Sequence, residues 1–265
     1  GGMESMTNAP YLLKKHRSGA RLGHDTTYDH MFLDGLEDAY EEGRAMGTFA
    51  QETANDYQMT REEMDEYSIE SLRRANAAID SGAFADEVVP VTFSTRKGEV
   101  TVEHDEQPGK GRPDKIPQLR PAFAKDGTIT AATSSSISDG AAAVVLSRES
   151  VAKANGQQPV AKIVAMAAHA QEPAQFTVAP IGAIEKVLDK AGWSADEVEL
   201  WEVNEAFACV AMFAMRDIGI PHDKINVNGG GTALGHPIGA SGTRIIVTLL
   251  NALKQQGKKR GVASL

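Results

Sequence analysis

A glycine-rich stretch at residues 226–242 constrains this chain more than any other feature. It has six glycines in seventeen residues, one histidine, His236, and a proline directly after that histidine. Glycines permit positive φ angles and leave backbone N–H groups open to a ligand, whereas Pro237 favours an extended backbone at His236. Apolar residues at helical spacing follow, and residues 224–227 have the composition of a short strand. The pattern predicts a strand, a glycine loop that presents an imidazole, and a helix.

Two interpretations of this loop are open. In the first, His236 only satisfies a loop carbonyl in a tight turn between strand and helix. In the second, the imidazole and the open N–H groups stabilise negative charge on a bound oxygen atom. The number of glycines in the stretch favours the second interpretation, so His236 is a candidate catalytic residue.

Asn204 is a second candidate, because it follows the apolar strand predicted at residues 200–203 and precedes a helix predicted from residue 206. Ligands of open α/β sheets bind where strands end and helices begin. The asparagine side chain could orient a water or donate to a carbonyl oxygen. It could instead cap the helix that follows, and both roles are compatible.

Composition and charge exclude several classes of protein. The chain has 265 residues, a formal net charge of −9 and no long apolar run, so neither nucleic acid nor a membrane is expected as its main partner. The histidines lack the spacing of metal ligands, and no metal is expected. A single cysteine, Cys209, excludes an internal disulfide and favours a reducing compartment, which predicts a cytoplasmic protein.

The order of elements predicts an α/β fold. From residue 141 onward, apolar strands predicted at residues 141–146, 160–168, 200–203 and 260–265 alternate with helices. Earlier residues do not alternate in this way. A capping box at Thr60–Glu63 starts a helix that runs to about residue 81, and residues 88–104 form a hairpin. We place a boundary near residue 137 between a loop-rich region and an α/β layer.

Three motifs resemble one family. Residues 229–242, Gly-Gly-Gly-Thr-Ala-Leu-Gly-His-Pro-Ile-Gly-Ala-Ser-Gly, are similar to the histidine signature of the thiolases, which make and cleave 3-ketoacyl-CoA. Residues 204–208, Asn-Glu-Ala-Phe-Ala, resemble that family's Asn-Glu-Ala-Phe block, and residues 1–6 resemble its Gly-Gly-Met-Glu-Ser-Met turn. The motifs lie in family order, and the resemblance covers the whole chain.

The resemblance implies two layered α/β halves with an inserted loop domain, the first half being largely missing. Residues 1–6 would end that half, 7–136 would form the loop domain, 137–157 would be the remainder of the first half, and 158–265 the C-terminal half. The chain begins Gly-Gly-Met and stops in an apolar, strand-like segment. On these grounds we expect a fragment.

The resemblance also implies roles for site residues. Asn204 would hold a water that, together with His236, polarises the thioester oxygen. Ser135 would contact the pantetheine of coenzyme A, although it could be just part of a serine-rich turn. Met46 would lie near the acyl end. Phe123 and Phe207 would line the pantetheine channel, or merely pack in the core.

Residues 107–121 form a predicted loop with four prolines and a local excess of basic side chains. Lys110 and Arg112 in this loop are candidates for contacts with the nucleotide phosphates of coenzyme A. A solvated surface loop is an equally good interpretation of the same residues.

The implied activity is acyl transfer between two acetyl-CoA molecules, as in acetyl-CoA C-acetyltransferases, or cleavage of longer 3-ketoacyl-CoA in fatty-acid β-oxidation. Coenzyme A thioesters would be the substrates, with no separate cofactor, and the assembly a homodimer or homotetramer. Thiolases also need two cysteines, at positions this chain does not include, and we expect Cys209 to be a buried core thiol. An inactive CoA-binding or assembly fragment is therefore the alternative from another class.

Overall fold

The computed structural model describes residues 1–265, which form helices and short strands joined by long irregular segments. The helices are α1 Met46–Asp56, α2 Arg61–Asp80, α3 Glu106–Lys110, α4 Glu149–Ala154, α5 Ala179–Ala191, α6 Ala208–Ile218, α7 Gly231–Leu234 and α8 Ile238–Gln255. The strands are β1 Gly2–Ser5, β2 Tyr11–Leu12, β3 Tyr28–Asp29, β4 Val91–Thr95, β5 Gly98–Val102, β6 Asp139–Ala142, β7 Leu200–Val203 and β8 Gly261–Ser264.

The strands pair two by two. β1 and β6 are antiparallel, with Gly2 opposite Ala142, and β2–β3 and β4–β5 are antiparallel hairpins. β7 and β8 are parallel, with Leu200 opposite Gly261. Helix α8 packs against both the β1–β6 pair and the β7–β8 pair, so it joins the beginning of the chain to its end.

The core lies on both faces of β7. Leu200 packs against Leu249 and Leu253 of α8, whereas Trp201 and Val203 belong to the main apolar cluster with α1, α2, α5 and α6. This alternation is the period of two expected of a strand covered on both sides. The residues that follow β7 are therefore held at the end of a rigid, buried strand.

Helix α2 forms where the sequence predicts it. The Thr60 hydroxyl accepts from the Glu63 backbone N–H at 3.2 Å, and the Glu63 carboxylate accepts from the Thr60 N–H at 2.8 Å. This reciprocal capping satisfies donors that the first turn of a helix leaves free. The predicted hairpin is also confirmed as β4 and β5. Helix α6 begins two residues after its predicted start at residue 206, and the helix predicted after the glycine loop is α8.

Three strand predictions are wrong, at residues 141–146, 160–168 and 224–227. Of residues 141–146, only the first two lie in β6, and Val145 is 98% exposed because no element covers it. Residues 160–168 have no regular structure, and Val160 is 80% exposed. An apolar run forms a buried strand only where a neighbour supplies hydrogen bonds and cover.

The strand predicted at residues 224–227 is replaced by a side-chain contact. Asn226 has a left-handed φ of 45°, which ends any extended run after the single bridge from Ile225 to Trp201. Its side-chain oxygen accepts from the Val203 N–H at 2.9 Å, and its amide donates to the Val203 carbonyl at 2.8 Å. One asparagine side chain thus completes the edge of β7 as a strand residue would.

The predicted loop at residues 107–121 is partly helical. It contains α3 and a 3₁₀ segment, Pro113–Gln118, both packed against α2. Leu72, Ala75, Ile116 and Ala233 form a small apolar cluster there, which fastens α7 and the glycine loop to α2.

Candidate active site

His236 lies between α7 and α8, at the point where the glycine loop ends. Gly235 before it has a φ of +92°, a conformation that disfavours residues with a Cβ atom. A Cβ there would also lie 2.0 Å from the Ser138 hydroxyl. The His236 N–H donates to the Ser136 carbonyl at 3.3 Å, so residues 136–138 and the glycine loop hold the histidine backbone from two sides.

The His236 ring is oriented by Ser241, one turn into α8. Nδ1 lies 2.6 Å from the Ser241 hydroxyl, which itself donates to the Pro237 carbonyl at 3.0 Å. Because a hydroxyl has one proton, the Ser241 oxygen is left to accept from Nδ1–H. This accounting makes Nε2 the unprotonated nitrogen of a neutral imidazole, so Nε2 is the atom able to take a proton.

The electrostatic environment keeps this imidazole neutral. Burial, and to a smaller extent the positive charge of Arg244, lowers the pKa of His236 to about 4. At neutral pH the ring therefore has one donor and one acceptor nitrogen. That is the state in which it can act first as a base and afterwards as a donor.

Asn204 directly follows β7 and is buried, with 5% of its surface exposed. Its backbone N–H donates to the Ser264 carbonyl at 2.9 Å, and its side-chain nitrogen lies 3.5 Å from Nδ1 and 3.4 Å from Nε2 of His236. The structure thus brings the two candidates together. Asn204 Oδ1 is buried and has no hydrogen-bond partner within the protein. Asn204 does not cap the following helix, because α6 begins at Ala208 and Phe207 occupies the cap position.

Glu205 is a site residue that the sequence reasoning missed. It is fully buried, and its carboxylate accepts hydrogen bonds from Tyr67, Ser71, Asn226 and Thr232. The signal in the sequence was an acidic residue placed among apolar ones at a predicted strand end. That signal does not reveal which distant donors surround it. Ser241 and Asn226 were missed for the same reason.

Four of the predicted substrate-binding residues lie on elements that meet beside Asn204. The Phe123 and Phe207 rings pack edge to face with their centroids 5.9 Å apart. Met46 begins α1 next to Gly47, where a Cβ atom would lie 2.2 Å from the Phe123 ring. The Ser135 N–H donates to the Ala206 carbonyl at 3.0 Å, which places this serine beside the same turn. All four side chains are partly exposed or at the border of burial.

Lys110 and Arg112 lie elsewhere, at the exposed end of α3 and just after it. Lys110 pairs with Glu106 at 3.1 Å, a contact within its own helix, and the Arg112 guanidinium reaches only the Gly111 carbonyl, at 3.5 Å. No contact joins either side chain to the aromatic residues. Their assignment to coenzyme A phosphates stays a prediction.

Comparison with known protein families shows the family to which this chain belongs. The family description "Thiolase, N-terminal domain" matches residues 1–150, and "Thiolase, C-terminal domain" matches residues 157–265. The chain belongs to the thiolase family.

Individual relatives agree with this assignment. The acetyl-CoA acetyltransferase of Yarrowia lipolytica is 48% identical over the whole chain, which spans 65% of that protein's length. The crystal structure of the Bacillus anthracis acetyl-CoA acetyltransferase superposes with a TM-score of 0.95 at 41% identity, covering 99% of this chain and 66% of that one. The Acat5 thiolase of Ascaris suum, solved in complex with coenzyme A, has a TM-score of 0.88 at 39% identity, covering 98% of this chain and 66% of that one.

In this thiolase chain the one cysteine, Cys209, lies inside α6 and is fully buried. Burial raises the pKa of its thiol to about 12, so the nucleophilic thiolate is not populated near neutral pH. It belongs to the main apolar cluster, as the sequence predicts.

The structure contains neither a metal-binding cluster nor a helix able to cross a membrane. No group of three or more histidine, cysteine, aspartate or glutamate side chains is arranged to hold a metal ion. None of the helices combines the length and the apolar character that crossing a bilayer requires.

Proposed function

We propose that the protein to which this chain belongs transfers acetyl groups between coenzyme A thioesters, condensing two acetyl-CoA molecules to acetoacetyl-CoA and CoA or running the reverse thiolysis. The observation that supports this most is the pairing of a partly buried, neutral His236 with Asn204 at the end of β7. The names of the relatives support acetyl as the transferred group.

The proposed chemistry follows from the protonation state of His236. In thiolysis, the sulfur of an attacking thiol bonds to the acyl carbon, the carbonyl electron pair moves to oxygen, and Nε2 takes the thiol proton to become an imidazolium. That imidazolium then donates Nε2–H to the acyl oxygen as it gains negative charge, while Asn204 orients a second donor. The proton passes to the leaving carbanion when the carbonyl re-forms and the C–C bond breaks. A general base is typically worth about 10²–10⁴ in rate and a lost oxyanion donor about 10²–10³.

The test joins this chain to the segments of the Yarrowia lipolytica relative that flank the matched region, and measures thiolysis of acetoacetyl-CoA. His236→Ala should lower kcat by about 10²–10⁴ while the Kd for CoA changes little. His24→Ala, at an exposed loop position, is the matched control and should leave kcat unchanged. An unaltered kcat in His236→Ala would remove the proposed role.

Acyl length is tested in the same fused protein. A preference for acetoacetyl-CoA over long 3-ketoacyl-CoA supports the acetyltransferase. Preferential cleavage of long chains would instead support the β-oxidation enzyme.

Cys209 favours a second candidate function for the 265-residue chain by itself, namely binding of CoA without turnover. A buried thiol with a pKa of about 12 is a poor nucleophile. We expect no thiolysis by this chain alone. Turnover that persists in Cys209→Ser would contradict that expectation.

We also propose how coenzyme A is held. Ser135 contacts the pantetheine, Phe123 and Phe207 line its path, and Met46 lies at the acyl end, supported by the packing of these residues beside Asn204. No separate cofactor takes part. Replacing Phe207 by alanine should weaken binding of CoA and of pantetheine alike.

Lys110 and Arg112 are proposed to contact the nucleotide phosphates, supported only by their exposed positive charge. Lys110→Ala together with Arg112→Ala should raise the Kd for CoA without changing that for pantetheine. Lys97→Ala, in the turn between β4 and β5, is the control. Equal loss for both ligands would contradict the assignment.

Assembly and location complete the proposal. We propose a homodimer or homotetramer that works in the cytoplasm, supported by the family resemblance and by the single buried cysteine. Sedimentation of the fused protein gives its mass, and a mass of one protomer would contradict the proposed assembly.

A further inference from the structure

The fully buried Glu205 carboxylate has five hydrogen-bond donors around it. Oε1 accepts from the Tyr67 hydroxyl at 2.8 Å and from the Asn226 amide at 2.7 Å. Oε2 accepts from the Ser71 hydroxyl at 2.9 Å, the Thr232 hydroxyl at 2.7 Å and the Thr232 backbone N–H at 3.1 Å. A buried charge with this many donors is stabilised without a cationic partner.

These donors come from parts of the chain that are far apart in sequence. Tyr67 and Ser71 lie on α2, Asn226 precedes the glycine loop, and Thr232 lies in α7, just before His236. Glu205 therefore ties α2 and both ends of the glycine loop to the turn that contains Asn204.

The glycine loop is shaped around this carboxylate. A Cβ atom on Gly230 would lie 2.2 Å from the Glu205 carboxyl carbon, and the Gly230 N–H donates to the Ser71 hydroxyl at 3.0 Å. That hydroxyl in turn donates to Glu205. The close approach needs a glycine at position 230, and it fixes the loop that leads to His236.

Only a group with two acceptor oxygens fits these donors. The Thr232 backbone N–H can only donate. The Asn226 amide is equally committed, because its oxygen accepts from the Val203 N–H and its nitrogen also donates to the Val203 carbonyl. A glutamine at position 205 would face one of these two donors with its own NH₂ group, whichever way it is turned.

We propose that Glu205 is a positioning residue, whose carboxylate holds the Asn204 turn and the 226–232 loop in the register that places the Asn204 amide against the His236 ring. The inference rests on the proposed function only for the catalytic role of the Asn204–His236 pair. The register itself can be tested in the 265-residue chain without any turnover.

The first test compares Glu205→Gln with the unchanged chain by nuclear magnetic resonance. Amide hydrogen exchange at Gly230 and Thr232 should become at least about tenfold faster, because local opening is easier when a buried donor has lost its acceptor. The Overhauser contact between the Asn204 side-chain amide and the His236 ring should weaken or vanish. Glu66→Gln, on the exposed side of α2, makes the same change of charge and should alter neither signal.

The second test exchanges the acid and the amide. Asn226→Asp alone puts two carboxylates together and should loosen the loop as Glu205→Gln does. In Glu205→Gln/Asn226→Asp, the new glutamine can donate to the new aspartate while its oxygen still accepts from Thr232. The double variant should thus recover part of the lost protection and of the Asn204–His236 contact. Recovery of the Asn204–His236 contact along with the protection would link the hydrogen bonds of position 205 to the placement of that pair.

Three outcomes would overturn the inference. The first is an unchanged Overhauser contact and unchanged exchange in Glu205→Gln, and the second is a double variant as disturbed as the sum of its parents. If Glu205→Gln fails to fold, Tyr67→Phe removes one donor and should shift the same signals by a smaller amount, and no shift would be the third. By contrast, an unaltered kcat in His236→Ala would remove the proposed function and leave this inference intact.

Discussion

Two apolar stretches of this chain differ in their surroundings far more than in their composition. In the first, strand β7, Leu200 is 1% exposed between helices on both faces and a parallel neighbour at its side. In the second, residues 141–146, Leu146 is 71% exposed and pairing stops at Ala142. The comparison teaches that an apolar run indicates the capacity to form a buried strand, whereas its neighbours decide whether it does so.

The contrast extends to the chemistry of each region. Around β7 many polar groups are buried, some of them in pairs, as with Asn226 on Val203, and the pKa values of buried groups are displaced. Burial raises the pKa of Glu202 on this strand to about 8, although Arg244 opposes the shift. Residues 141–146 contain no ionisable side chain at all. Burial therefore shifts the pKa values of the ionisable groups around β7, whereas residues 141–146 have no such group.

Truncating one leucine in each stretch gives the largest expected difference. Leu200→Ala should lower the free energy of unfolding by about 2–5 kcal/mol, because it leaves a cavity between β7 and α8. Leu146→Ala should change it by less than about 0.5 kcal/mol. Urea unfolding gives the free energy of unfolding of both variants. Equal losses in the two would contradict the difference in burial between the two stretches.

Acid titration tests the desolvation of the site. His236 has a pKa of about 4 in the folded chain against about 6.5 unfolded, so the unfolded state binds the proton first as the pH falls. Stability should therefore decrease between pH 6.5 and 4, by up to about 3 kcal/mol from this group. The ring protons of His236 should titrate near pH 4. A titration midpoint of the His236 ring near pH 6.5 would contradict the proposed desolvation of the ring. The control variant His236→Asn should lack the part of the pH dependence of stability that comes from this group.

Adding one methyl group to a glycine sharpens the comparison further. Gly230→Ala should cost about 1–3 kcal/mol, because the new Cβ meets the Glu205 carboxyl group. Gly109→Ala, in α3, has open space around it and should leave stability unchanged or raise it by up to about 1 kcal/mol. Thermal unfolding measures the stability of the two variants. An unchanged stability of Gly230→Ala would show that the residues around Glu205 can move to make room for the new methyl group.

Removing a hydroxyl gives the smallest expected effect. Ser241→Ala should cost about 1 kcal/mol and release Nδ1 of His236, so that the ring samples both neutral tautomers. The nitrogen chemical shifts of the ring report the tautomer directly. Ser147→Ala, beside the exposed stretch, should change neither stability nor those shifts, and a ring with an unchanged single tautomer in Ser241→Ala would refute the assignment of Nε2 as the base.

Local signals made much of this fold predictable from the sequence. The Thr60–Glu63 box, the glycines that end α5 and α6, and the apolar stripe of α8 are signals confined to a few neighbouring residues. The failures at residues 141–146 and 160–168 depend on partners that no local pattern specifies. The failure at 224–227 depends on one asparagine that replaces a strand with its side chain.

For the site, the sequence predicted His236 and Asn204, because a glycine-rich loop and the end of an apolar strand can be recognised from the order of neighbouring residues. The structure adds what only packing can produce. Tyr67 and Ser71 donate to Glu205 from more than 130 residues away in the chain. Ser241 holds the ring of His236, which lies about one helical turn before it. Such contacts have no signature in spacing or composition.

Gly47 sets the position of an aromatic pair beside the site. Its missing side chain is the space that the Phe123 ring occupies, and Phe123 packs on Phe207 beside the site. Any larger residue at 47 would displace that ring and disturb its packing on Phe207. A single substitution at position 47, away from His236 and Asn204, would therefore rearrange an aromatic pair beside the site without changing either candidate residue.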